Sequence, residues 1–117
     1  MAEDPIDTQV LLLAAAKASV PGTTLPDLVT RVQSHLGAKL EDYHDRYECV
    51  HENDVAVFFV PEGHWRDLRS AVDMERREID AVRRAHREQL RRIGRNTGRA
   101  DEFETALDIR EVVIIAG

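Results

Sequence analysis

HWRDLRSAVDMERREIDAVRRAHREQLRRIG, residues 64–94, is the stretch whose reading decides the fold. It contains no proline, and its only glycine is its last residue. Trp65, Leu68, Val72, Ile79 and Val82 recur at steps of three, four or seven, which is the apolar stripe of an amphipathic helix. Read as one helix, the stretch is roughly 46 Å long at about 1.5 Å per residue. A chain of 117 residues cannot cover all of such a helix with its own core. The stripe nevertheless continues through His86, Leu90 and Ile93. A homodimer is therefore expected, with Ile79, Val82, His86, Leu90 and Ile93 as the interface between two antiparallel helices. In the competing arrangement the segment around Phe103 folds back and covers the stripe within one chain.

Charge is distributed unevenly along the chain. Between residues 76 and 99 stand Arg76, Arg77, Arg83, Arg84, Arg87, Arg91, Arg92, Arg95 and Arg99, opposed only by Glu78, Asp80 and Glu88. That is a surplus of six positive charges on a chain whose net charge is −6. Pairs at i,i+4, such as Asp80 with Arg84 and Glu88 with Arg92, would neutralise part of it. The first eight of these arginines are the candidate contacts to an anionic partner, either the phosphates of DNA or an acidic protein surface.

The length indicates one domain, and 43% hydrophobic with 32% charged residues is a soluble balance tilted towards charge. No apolar run approaches the ~18 residues of a membrane span. The acidic start, MAEDPIDTQ, has no basic stretch of the secretory kind, and Cys49 is the single cysteine. Both features point to a reducing cytoplasm. Only Lys17 and Lys39 among the 16 basic residues are lysine, and 22 residues are acidic. A high-GC genome and a salt-rich cytoplasm explain that bias equally well.

The rest of the chain alternates in period. Asp4 with Pro5 opens a helix over Ile6–Ala18, which is apolar nearly all round and expected to be buried. Pro21-Gly22 ends it. Thr24 opens a second helix with the stripe Leu25, Leu28, Val29, Val32, Leu36, and a short third follows over Ala38–Arg46. Tyr47–Glu52 and Val55–Val60 then read as a hairpin around Asn53-Asp54, with Cys49 opposite Phe58 and Val50 opposite Val57. VAVFFV is apolar on both faces, so it belongs in the middle of a sheet. Asn96-Thr97-Gly98 is a break, Ala100–Leu107 a short helix, and Ile109–Ile115 a last strand beside VAVFFV. The expected class is a single α+β domain. Its expected core is Val10, Leu13, Leu28, Val32, Leu36, Leu40, Val57, Phe58, Val60, Trp65, Leu68, Val72, Val113 and Ile115.

Three helices, a hairpin and a long closing helix resemble the element order of winged-helix DNA-binding domains that dimerise through a C-terminal helix. The resemblance covers residues 4–94 and implies a small dimeric, non-catalytic DNA-binding regulator. Leu25–Leu36 and Ala38–Arg46 stand where the helix-turn-helix would be. The recognition position, AKLEDYHDR, carries Glu41, Asp42 and Asp45 against Lys39 and Arg46, and the wing tip Glu52-Asn53-Asp54 is acidic as well. Groove-reading helices normally offer Arg, Lys, Asn or Gln. The alternative is a non-enzymatic interaction or self-assembly module using the same arginine-rich helix.

Catalytic and metal chemistry find little support in the pattern. His44, Cys49, His51 and His64 have ligand types that zinc accepts, with Cys49 and His51 on one strand face. They lack the C-x-x-C or H-x-x-x-H spacing of a zinc site. Cys49 reads as a small buried residue and the histidines as hydrogen-bonded or surface groups, so no metal or other cofactor is expected. No glycine-rich phosphate loop and no nucleophile–base set is present.

Overall fold

The structure is a computed structural model, and it describes residues 5–116. Six helices and three strands follow in the order α1 (Thr8–Ala18), α2 (Leu25–Gly37), α3 (Leu40–Arg46), β1 (Glu48–Glu52), β2 (Val55–Pro61), α4 (His64–Val72), α5 (Arg76–Thr97), α6 (Ala100–Leu107) and β3 (Arg110–Ala116). The class is α+β, and the expected element order is kept with one division. The stretch 64–94 is two helices. Asp73 ends α4 in the left-handed region (φ 51°), and Glu75 starts α5 with a capping box to Glu78. Glu-x-x-Glu at 75–78 is a start signal in the middle of an unbroken stripe, and it satisfies the first free N–H groups of the new helix. A straight helix of roughly 46 Å would not fit in a molecule whose principal extents are 32 × 31 × 27 Å.

The sheet is antiparallel with order β1-β2-β3, so VAVFFV is the central strand, as its two apolar faces require. On one side Phe58 meets Tyr43 and His44 of α3, at 5.7 and 5.0 Å between ring centroids. On the other, Phe59 meets Phe103 of α6 edge-on at 5.9 Å. Cys49 pairs with Phe58 as expected, but His51, not Val50, pairs with Val57. Val50 is the extra residue of a β-bulge, and its carbonyl accepts a hydrogen bond from Arg99 Nη1.

The outer edge of β3 is closed by side chains from three helices. Trp65 Nε1 donates to the Val112 carbonyl at 2.9 Å, and His86 Nδ1 accepts the Ile114 N–H at 3.0 Å. Gln33 donates to the Ile114 carbonyl at 2.6 Å and accepts the Ala116 N–H at 3.0 Å. A sheet edge left open would be a template for pairing with other chains. Here the backbone groups of alternate residues 112, 114 and 116 are taken by α4, α5 and α2.

Two expectations about burial are corrected. Helix α1 buries one stripe, Val10, Ala14 and Ala15, against α5, so Leu12 and Leu13 remain 57% and 58% exposed. Leu13 is therefore not core, and Leu40 is only half-buried at the core margin. The start of α1 is Thr8, and the Asp4 cap lies outside the described residues. The proposed dimer interface is also covered within the chain. Ile79, Val82, His86 and Leu90 are 5%, 0%, 0% and 0% exposed, and Ile93 is half-buried. Helix α1 packs on α5 from one side, and α6 folds back from the other, placing Phe103 close to Gly94. The competing single-chain arrangement is the one the fold adopts, because two helices flank α5 where a second copy would have lain.

Candidate acidic-ligand interface

Helix α5 is the inner helix of the molecule, yet its arginines reach the surface between its neighbours. Arg76, Arg77 and Arg95 are exposed, and Arg83, Arg84, Arg87, Arg91 and Arg92 are half-buried. Most of these cations are neutralised at home. Asp80 receives Arg83 and Arg84 at 2.8 Å each. Arg91 bridges Glu88 at 2.6 Å and Glu104 of α6 at 2.5 Å, and Arg92 lies 3.2 Å from Asp7. Arg77 is 3.9 Å from Glu75 at the helix start. The expected Asp80–Arg84 pair is present, whereas Glu88 pairs with Arg91 rather than Arg92. Arg99 pairs with Glu102 at 2.6 Å and lies over the Phe103 ring at 4.6 Å. Among the described residues Arg76, Arg87 and Arg95 have no ion pair.

The pairing alters the titration of its members. Burial pushes the Asp80 carboxyl up, but the hydrogen bonds and charges of Arg84 and Arg83 outweigh that and hold it below its ordinary value. The Glu104 carboxylate, ahead of Glu88, raises the Arg91 guanidinium.

Three adjoining depressions follow α5 and share Arg83 as a wall. The first, of about 430 Å³, lies between α4 and α5 and is lined by Arg66, Arg69, Arg76, Asp80 and Glu111 among others. The second, of about 210 Å³, lies towards β3 and includes Glu62, Arg87, Leu107, Arg110 and Glu111. The third, of about 280 Å³, lies towards α1 and includes Lys17, Arg84, Arg87, Glu88 and Arg91. Nine cationic side chains thus line the track against the carboxylates of Glu62, Asp80, Glu88 and Glu111. Arg87 lines two of the depressions, and its buried Nε has no hydrogen-bond partner among the described residues. The Arg110 Nε is in the same condition in the second depression, while its Nη1 binds Glu48 at 2.7 Å. Buried donors without partners are uncommon and expensive, and an incoming acceptor would satisfy them.

Glu111 occupies the start of α4 in the track. Its carboxylate accepts the Gly63 N–H at 3.3 Å and the Trp65 N–H at 3.2 Å, filling the positive end of α4 with the chain's own anion. A ligand entering the track would therefore meet guanidinium groups and not that helix end. Sequence periodicity does not reveal Arg66, Arg69 or Arg110 as part of the track, because the approach of α4 and β3 to α5 is tertiary.

The expected histidine–cysteine set divides. His64 Nε2 lies 2.6 Å from the Tyr43 hydroxyl, inside the α3–α4 packing. Burial lowers its pKa, and burial likewise raises that of Tyr43. The bulge sends Cys49 and His51 to opposite faces, so the shared face expected for them is corrected. Cys49 instead meets His44 and Glu52.

Compared with known sequences, the chain matches a single family model over residues 4–117. The chain belongs to the DUF8048 family, a domain of unknown function. No curated protein and no solved structure matches it. Among the described residues of this DUF8048 domain, no helix is long and apolar enough to cross a membrane.

Proposed function

We propose that this DUF8048 domain is a non-catalytic binding module that receives an acidic protein segment in the arginine track along α5. The observation that carries the reading is the concentration of nine cations around three adjoining depressions on a chain of net charge −6, with Arg87, which has no ion pair among the described residues, lining two of them. Guanidinium forks suit carboxylates, and the depressions are concave and broken by Asp80 and Glu88, which favours a flexible side-chain ligand over a regular phosphate backbone. The acidic face of a second copy is one such partner, and sedimentation at micromolar concentration detects it as species heavier than 13.3 kDa.

Element order favours a second reading, a DNA-binding regulator with the eight arginines as phosphate contacts. Its support is weakened by the acids of α3, Glu41 and Asp42, both exposed, and by the ion pairs that occupy five of the eight arginines. A side-by-side titration tests both readings, using a fluorescent glutamate-rich peptide and a duplex DNA over a range of salt. The peptide is expected to bind and to weaken on the double substitution Arg76→Ala/Arg87→Ala. DNA binding tighter than peptide binding, with a salt slope of about 0.9 per phosphate contact, would replace the first reading by the second.

A further inference from the structure

We propose that His44, Cys49 and Glu52 form a divalent-metal site of the zinc class between the end of α3 and β1, with three protein ligands and an open fourth position. One ligand atom from each residue lies within 4.8 Å of the other two. His44 Nε2 and Glu52 Oε2 are already 3.4 Å apart. Ligands about 2.0–2.3 Å from a tetrahedral zinc stand roughly 3.3–3.7 Å from one another. The cluster therefore needs only a movement of about 1 Å by a thiol on an edge strand to close on an ion.

The fold has a specific reason for bringing these side chains together. Residues 49 and 52 are three apart, and in a regular strand they would face opposite sides of the sheet. The bulge at Val50 shifts the parity, so that Cys49 and Glu52 fall on one face. Arg99 holds the bulge from outside the strand by donating to the Val50 carbonyl. His44 reaches the same face from the last turn of α3, its ring set edge-on against Phe58, which is the cross-strand partner of Cys49. The side chains of His44 and Glu52 are 36% and 60% exposed, which leaves an entry path and room for a water ligand. A set of one imidazole, one thiolate and one carboxylate suits zinc or cobalt and disfavours magnesium and calcium. On binding, the sulfur–metal bond forms as the thiol proton leaves to solvent. The site is independent of the arginine track.

Cobalt(II) titration of the reduced full-length chain tests the site. The expected result is a near-ultraviolet thiolate-to-cobalt charge-transfer band together with visible bands of tetrahedral cobalt. They should saturate at one ion per chain and vanish when zinc is added. Cys49→Ser should abolish the charge-transfer band. His44→Ala and Glu52→Gln should each weaken zinc at least tenfold, since loss of even an outer-shell partner typically costs roughly 10–100-fold. His51→Ala should leave binding unchanged. Circular dichroism of each metal-free variant checks folding; if Cys49→Ser unfolds, His44→Ala and Glu52→Gln at exposed positions carry the test. No charge-transfer band at stoichiometric cobalt, a band that survives Cys49→Ser, saturation at one ion per two chains, or equal damage from His51→Ala would overturn the proposal.

Discussion

His86 is expected to make the fold acid-sensitive. Its ring is fully buried, packs at a tilt against Trp65 with 4.6 Å between centroids, and accepts the Ile114 N–H through Nδ1, so the proton of the neutral ring sits on Nε2. Burial lowers its pKa from 6.5 to about 3. The unfolded chain therefore binds a proton below pH 6.5 that the folded chain refuses until about pH 3. Stability contributed by the neutral ring is fully present above pH 6.5 and declines as pH falls through that window. Each pH unit is worth at most about 1.4 kcal/mol, so roughly 3 kcal/mol should be lost by about pH 4.5. Urea unfolding from neutral pH to about pH 4.5 measures this, with His86→Asn as the comparison. The asparagine carbonyl oxygen can stand where Nδ1 stands, which keeps an acceptor for Ile114 while removing the titration. The variant should be less stable at neutral pH because it loses ring area, yet it should have the flatter pH profile. Carboxylates titrate in both proteins and cancel in the difference. Parallel profiles for wild type and His86→Asn would refute the reasoning.

Gly94→Ala should destabilise the α5–α6 corner. A Cβ there would stand 3.0 Å from Phe103 and 3.2 Å from the Ala100 backbone, so an overpacking cost of about 1–3 kcal/mol should exceed the ~0.5–1 kcal/mol gained by removing a helical glycine; thermal unfolding measures the sum. Trp65→Phe should lower stability by about 1–3 kcal/mol by leaving the buried Val112 carbonyl without its 2.9 Å donor, and amide exchange in β3 should accelerate with it. Asp80→Asn should change stability by less than about 1 kcal/mol, as expected for partly exposed pairs. The same substitution should tighten binding of a glutamate-rich peptide, because Arg83 and Arg84 lose the carboxylate they share.

Much of the fold is legible because local and tertiary preferences agree. VAVFFV has two apolar faces and lies between two strands, and Ala100–Leu107 is a helix between breaks in both readings. The misreadings arise where a local signal competes with a longer pattern. The stripe from Trp65 to Ile93 keeps its period across Asp73–Glu75, so the Glu75/Glu78 capping box is concealed within it. Leu12 and Leu13 satisfy every local rule for burial, yet α1 packs mainly on α5, touches α2 only lightly, and buries only one stripe. The bulge at Val50 has no glycine or proline to announce it, and its stabilising partner, Arg99, is 49 residues away. Without the bulge in view, Glu52 has the wrong parity to join Cys49.

The arginine track shows the same division between what a sequence counts and what a fold leaves free. Counting along α5 gives the correct sign of the surface but overstates its free charge. Four of the compensating acids, Asp7, Glu75, Glu102 and Glu104, come from outside the 76–99 stretch, three of them from other parts of the fold. After pairing, the charge remaining along α5 is concentrated at Arg76, Arg87 and Arg95, spaced eleven and eight residues apart. An acidic ligand in the proposed track would therefore meet Arg76 in the first depression, reach Arg87 between α1 and β3, or displace Asp80 and Glu88 from the guanidinium groups they hold. Displacement exchanges one carboxylate–arginine contact for another and yields little net binding, whereas satisfying the orphaned Arg87 Nε is a gain without an equivalent loss. Specificity in the track should accordingly centre on Arg87, with the paired arginines setting the sign of the field that brings the ligand to it.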